Sequence, residues 1–390
     1  MAASTVTLDR YRSHAAAAAR SDVDRAPWFL YAVLFASTSV IVGVIWDISW
    51  HRTIGRDTFW TPAHLAIYLG GVVAGLTSGW IALTTTFGKT SDATMPSVRF
   101  WGFRAPLGAW VCIWGAFAML TSAPFDDWWH NAYGLDVKIL SPPHVLLAAG
   151  IGAIQSGAML MALAWQNRSA ARNGQLSRLF LLASGLLLIL AVTLGSEHIQ
   201  RWDMHQAFFY QVTAGAFPFF LVSAARASNT RWAATTTALV YMSLTLVMVL
   251  VLPLFAAQPL LGPIFVHVDR FMPPDFPLLL CVPALLIDVL VRHVTGRDWR
   301  LSLLLAIAFV AAFIVVQWPF ADFLMSPWAR NRFFGSDRMP YSAEPFFQQR
   351  WYILNEPDSF RRGIPIAMLL AFVSARCGLW WGNWMSRVQR

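Results

Sequence analysis

Apolar runs of about twenty residues, broken by short polar stretches, fill most of the chain, and this is the length an α-helix needs to cross a bilayer. The pattern predicts helices over 28–51, 63–86, 105–124, 143–165, 178–196, 205–225, 233–256, 274–292 and 301–320, with a weaker tenth over 363–384. The expected fold class is an all-α polytopic membrane protein of nine or ten transmembrane helices. Residues 1–27 are rich in Ala and Arg, lack an apolar core and read as a cytoplasmic N-terminal tail, not as a secretory signal. Residues 28–150 form a transmembrane region with two polar motifs, 151–320 supply further spanning helices, and 321–390 hold a long aromatic loop and the possible last helix.

The polar breaks alternate in character. Arg10, Arg12, Arg20 and Arg25 precede the first run, and Lys89, Arg99 and Arg104 separate the second from the third. Arg168 and Arg172, Arg226 and Arg231, and Arg292, Arg297 and Arg300 mark every second break after that. The intervening breaks are poorer in Lys and Arg and richer in His and acids. The positive-inside rule then places the N-terminus in the cytoplasm and the His-rich breaks outside, on the periplasmic side of a bacterial inner membrane. Seven of the nine histidines fall in those outer breaks: His51, His64, His130, His144, His198, His205 and His267; His14 and His293 lie elsewhere.

Two of these breaks share a design. Asp47 and His51 are four apart and lie on one face if the first helix continues that far. Thr61-Pro62 reads as an N-cap followed by proline at the first helical position, which puts His64 in the first turn of the second helix. The positive helix end disfavours imidazolium there and helps keep His64 neutral and able to bind a metal. Asp126 and His130 repeat the spacing, and Ser141-Pro142-Pro143-His144 repeats the helix start. The second histidine follows the first by 13 residues in one break and by 14 in the other. Arg56 and Asp57 are expected to be a pair orienting His51 or His64, or a loop salt bridge. The third break carries Glu197, His198, Asp203 and His205, and the fourth His267, Asp269 and Asp275. These match the pattern weakly and read first as groups solvating helix ends or lining a vestibule. Together the breaks suggest degenerate helix-pair repeats.

Composition narrows the function. With 57% hydrophobic and 13% charged residues and a mean hydropathy of +0.52, the chain is no soluble domain. The net charge of +9 is almost all arginine in loops, so it is not a nucleic-acid signal. Tryptophans cluster near the run ends, where aromatic belts form. Cys112, Cys281 and Cys377 lie far apart in apolar runs, with neither a disulfide framework nor a CxxC site. From the donors alone, two imidazoles and one carboxylate suggest iron first, and zinc is also compatible.

Asp47-x-x-Trp50-His51-x4-Arg56-Asp57-Thr58-x-x-Thr61-Pro62-x-His64 resembles the metal motif in the C subunit of copper membrane monooxygenases, the particulate methane and ammonia monooxygenases. The resemblance implies copper and makes Asp47, His51 and His64 its ligands. It implies a second site at Asp126, His130 and His144, with Asp126 where the family has asparagine. It covers about residues 45–150; the family has more membrane helices before its first motif. It also implies partner subunits and a periplasmic electron donor, for which nothing here supplies a cupredoxin-like domain. The expected function is a copper-dependent monooxygenase or monooxygenase-like subunit oxidising a small apolar substrate. Periplasmic copper handling without oxygen chemistry, and a non-catalytic assembly subunit, are the alternatives.

Overall fold

The computed structural model describes residues 26–55, 57–88, 95–134, 141–169, 174–260, 268–294, 296–331, 333–334 and 357–390. Among them are ten α-helices: α1 (Trp28–Thr53), α2 (Pro62–Phe87), α3 (Leu107–Tyr133), α4 (Pro142–Arg168), α5 (Gly174–Leu194), α6 (Ala207–Ala227), α7 (Ala233–Val251), α8 (Cys281–His293), α9 (Asp298–Leu324) and α10 (Pro357–Met385). All but α8 are long and apolar enough to cross a membrane, which makes this a multi-pass membrane protein. A short antiparallel hairpin, β1 (Val98–Phe100) and β2 (Phe103–Ala105), joins α2 to α3. Its two-residue turn uses Trp101 and Gly102, both at positive φ, as a right-twisted hairpin requires.

Three of the sequence-based helices change most. The third helix does not end at 124. It runs through Pro124 to Tyr133, so Asp126 and His130 are both helical. Spanning helices tolerate such a proline because neighbouring groups satisfy the freed backbone. The eighth helix begins at Cys281 rather than 274 and has 13 residues. Pro273, Pro274 and Pro277 explain the delay, since each lacks a backbone N–H and disfavours helix in the residue before it. The weaker tenth stretch is a full span of 29 residues instead. Ala367, Ala371, Ala375 and Leu379 recur every four residues and are fully buried, with α10 lying along α6.

In lipid, apolar side chains gain little from leaving one apolar medium for another, so helices associate through close packing and small residues. Both N-terminal helix pairs follow this rule. In α1–α2 a Cβ on Gly43 would lie 2.9 Å from the Ile67 nitrogen and 3.0 Å from the Ala63 carbonyl. In α3–α4 a Cβ on Gly115 would lie 2.7 Å from the Gly150 carbonyl, and one on Gly150 2.9 Å from the Gly115 carbonyl. The pairs are tied to each other by Gln155 on α4, whose amide donates to the Ser37 carbonyl at 3.1 Å and whose oxygen accepts from the Ser37 hydroxyl.

The chain before α8 crosses the bundle without helical hydrogen bonds, so its amides must find other partners. Met272 N–H donates to the Thr53 hydroxyl at 2.9 Å, Leu278 N–H to the Tyr241 hydroxyl at 2.8 Å, and Leu279 N–H to Gln317 Oε1 at 3.0 Å. Tyr241 and Gln317 are buried, and this is their role. Asp288 on α8 caps a different helix: its carboxylate accepts from the first amides of α7, Ala234 at 2.9 Å and Thr235 at 2.8 Å.

Gly115→Val would drive a branched side chain into the Gly150 carbonyl and the Ile154 backbone. Overpacking of this kind costs about 1–3 kcal/mol. Thermal unfolding of the purified protein in detergent should show a lower midpoint, and an unchanged midpoint would mean that α3 and α4 do not touch there.

Candidate metal centre

In α1–α2 the donors come from three places. Asp47 and His51 lie on the last two turns of α1, Asp57 on the connecting loop, and His64 on the first turn of α2. The local sequence explains the turn. Thr61 takes the N-cap position and Pro62 the first helical one, but the Thr61 hydroxyl does not cap its own helix. It accepts from Thr58 N–H at 2.9 Å, while Thr61 N–H donates to the Thr58 carbonyl at 3.0 Å. This small knot turns the Thr58 carbonyl toward His64.

The ring of His64 is therefore oriented from behind. Its Nδ1 lies 3.0 Å from the Thr58 carbonyl, and a carbonyl only accepts, so Nδ1 carries the proton. In a neutral ring Nε2 is then a bare lone pair. That nitrogen lies 3.2 Å from Asp47 Oδ1 and 3.2 Å from Asp57 Oδ2. Asp47 Oδ1 is buried and makes no hydrogen bond among the described residues, so its approach to Nε2 is one acceptor facing another. Acceptors held this way are relieved by a second proton on the ring or by a cation between them.

Asp47, Asp57 and His64 are the compact group, with one donor atom each within 4.8 Å of the others. His51 stands at the rim, about half exposed, with Nε2 3.8 Å from Asp47 Oδ2 and 3.4 Å from Asp57 Oδ2. Asp57 stands beside both rings, as a residue orienting His51 or His64 would, and it comes closer than that role needs. It meets both rings at Nε2, the atom a metal would take. The hydrogen bond from His51 holds the Asp57 carboxyl below the usual carboxylate range, against the opposing effect of burial. Arg56 lies outside the described residues.

The α3–α4 pair builds the same arrangement. Asp126 and His130 sit on the last turns of α3, and His144 is the third residue of α4 after Ser141 at the N-cap and Pro142 at the first position. His130 Nδ1 lies 3.3 Å from the Gly134 carbonyl, and its Nε2 faces Asp126 Oδ2 at 3.4 Å. His144 Nε2 lies 3.5 Å from Asp126 Oδ1, which is buried and again without a hydrogen bond among the described residues. Gly134, at φ 87°, ends α3 and aims its carbonyl back at the ring, a conformation that favours glycine.

These separations suit a metal. An ion bound by nitrogen and oxygen at about 2.1 Å in a tetrahedron keeps its donors about 3.4 Å apart. Both centres can therefore take a transition metal with little movement, through one imidazole and two carboxylates in the first and two imidazoles and one carboxylate in the second. Tyr68, one turn beyond His64, packs on its ring at 6.0 Å and lies within electrostatic reach of Asp47, Asp57 and Asp126, so one α2 side chain borders both centres. Sequence reading missed it, because a tyrosine in an apolar run carries no spacing signal.

The third and fourth breaks do not form a further shared site among the described residues. Glu197 and His198 are exposed, with His198 edge-on to Phe208 at 5.5 Å. Asp275 pairs with Arg52 at 3.6 Å and Arg201 at 3.4 Å, and His267 lies outside the described residues. Burial pushes the Asp203 carboxyl up. His205 is buried, donates to the Trp318 backbone carbonyl and meets Asp322 Oδ1 through Nε2 at 3.0 Å. A lone carboxylate inside the apolar run of α9 was the available signal for Asp322.

No family model matches this chain, and neither a curated protein nor a solved structure does.

Burial pushes the His205 imidazole below its ordinary value of about 6.5, with Asp322 opposing. The folded state then binds fewer protons than the unfolded one, so this stabilisation is full above about pH 6.5 and is lost as pH falls below it. His205→Gln should flatten that part of the stability-against-pH curve between pH 8 and 5, measured by thermal unfolding in detergent.

Proposed function

We propose that this protein is a membrane metalloprotein with two transition-metal centres at one end of its helix bundle, of the copper membrane monooxygenase type. One observation carries the reading: two successive helix pairs bring an aspartate, a histidine four residues on, and a histidine at the third position of the next helix to the same kind of cluster. A histidine in each is turned by a backbone carbonyl so that Nε2 faces a carboxylate. Helix ends solvated at random do not require that orientation twice.

Asp47, Asp57 and His64, with His51 at the rim, hold the first ion; Asp126, His130 and His144 hold the second. Copper, when bound with an open position, supplies the redox chemistry for activating dioxygen; the same donors accept iron or zinc. The protein's part is orientation and charge. Thr58 and Gly134 fix the tautomers, so in the neutral ring Nε2 is the lone pair that faces the carboxylate. With neutral rings the first centre carries two negative charges and the second one, so both favour a divalent cation. The resemblance at Asp47–His64 favours copper and a small apolar substrate reaching the centre from the bilayer. The arginine-poor breaks support placing the centres on the periplasmic face of a bacterial inner membrane, with the N-terminus in the cytoplasm and the helix pairs related as repeats. Other monooxygenase-type subunits or a periplasmic donor would complete the electron supply.

The exposure of His51 favours a second reading, periplasmic copper acquisition or relay without oxygen chemistry, because a water-accessible imidazole can hand an ion to another protein.

Elemental analysis of protein purified with copper should find one ion fewer in Asp47→Asn/His64→Ala, one fewer in His130→Ala/His144→Ala, and neither in the combined variant. Copper content unchanged by all three would end the metal reading. Oxygen uptake that depends on an added apolar substrate and vanishes in one of the pairs supports the enzyme. Copper passing to an acceptor protein with no oxygen uptake supports handling.

A further inference from the structure

The last turns of α1 are used on two faces. Asp47 and His51 point to the first centre, while Ser49, Trp50, Arg52 and Thr53 grip a strand of chain from the other half of the protein. That strand is the non-helical segment leading to α8. The Ser49 hydroxyl donates to the Met272 carbonyl, and Met272 N–H donates to the Thr53 hydroxyl at 2.9 Å. The same Thr53 hydroxyl donates to the Ser49 carbonyl at 2.6 Å, closing the loop of bonds. Trp50 lies against Phe271 with ring centroids 5.5 Å apart. Beyond it, Asp275 forms an ion pair with Arg52 at 3.6 Å and accepts from Arg201 at 3.4 Å. Arg201 is almost fully buried and also donates to the Phe334 carbonyl at 3.2 Å.

We propose that residues 271–275 act as a clamp on the metal-bearing turn of α1, with Asp275 and Thr53 as positioning residues for Asp47 and His51 in the first centre. The inference rests on the metal reading above and extends it: part of the chain's second half would set the affinity of a site whose ligands lie in the first half. A helix end frays unless tied, because its last carbonyls and side chains have no intrahelical partners. Here the backbone bonds of Met272 fix the turn's rotation, and the Arg52–Asp275–Arg201 chain fixes its lateral position. No such segment is seen to grip the end of α3 among the described residues, so the second centre serves as an internal control.

The test uses the full chain in detergent, titrated with Cu(II) and followed by electron paramagnetic resonance and elemental analysis. His130→Ala/His144→Ala reports the first centre alone and His64→Ala the second. In the first background, Asp275→Asn and Thr53→Val should each weaken Cu(II) binding about 10- to 100-fold, the usual effect of removing a group that orients a ligand. Thr53→Ser keeps the hydroxyl and should bind as the parent does. In the second background Asp275→Asn should leave the affinity unchanged. Arg52→Gln breaks the ion pair while leaving Asp275 with buried Arg201, and should still weaken the first centre if Asp275→Asn fails to fold. Unchanged affinity at the first centre with Cu(II) bound, or equal weakening at both, overturns the clamp alone. Absence of Cu(II) from both parents overturns the metal reading and the clamp together.

Discussion

Both candidate centres depend on one contact that is easily overlooked, the hydrogen bond between a histidine Nδ1 and a backbone carbonyl. Without it, an imidazole beside an aspartate satisfies itself by donating a proton from Nε2, and the pair is a closed unit. With Nδ1 of a neutral ring committed to Thr58 or Gly134, Nε2 and the carboxylate are two acceptors held face to face. Such an arrangement is relieved by a second proton on the ring or by a positive ion between the acceptors. The hydroxyl-proline helix start and the glycine at the end of α3 are the devices that aim those carbonyls.

Around this contact the bundle is built for rigidity at short range. Paired glycines bring the backbones of α3 and α4 together, and those of α1 and α2 approach through Gly43 and Gly70. The helix ends are then spaced by main-chain contact rather than by long side chains that change rotamer. The buried Ser37–Gln155 link ties one pair to the other, so the two centres stand on a common frame. The cost of polar groups at membrane depth is met locally, as with Tyr241 and Gln317 on the non-helical segment and Asp288 on the start of α7.

Most of this was legible in the residues, for identifiable reasons. Long apolar runs announce spanning helices because bilayer thickness sets their length. The i, i+4 spacing of Asp47 with His51 and Asp126 with His130 has meaning only on a helix, and both pairs are helical. Features that depend on contacts between distant segments were not legible. Three prolines signal that residues 273–277 resist helix, but not that Thr53, 219 positions earlier, receives the Met272 amide. Asp57 reads as an accessory charge in sequence; only the fold of the loop brings it to Nε2 of both rings. His205 belongs with Asp322 rather than with its neighbours Glu197 and His198, because α9 and not the adjoining loop packs on it.

The two centres differ in what carries their donors. All three groups of the second are borne by helices. In the first, Asp57 rides on the connection itself, where its carboxylate meets both His51 and His64. The first candidate centre thus depends on the conformation of a loop residue, and the second only on where two helices end.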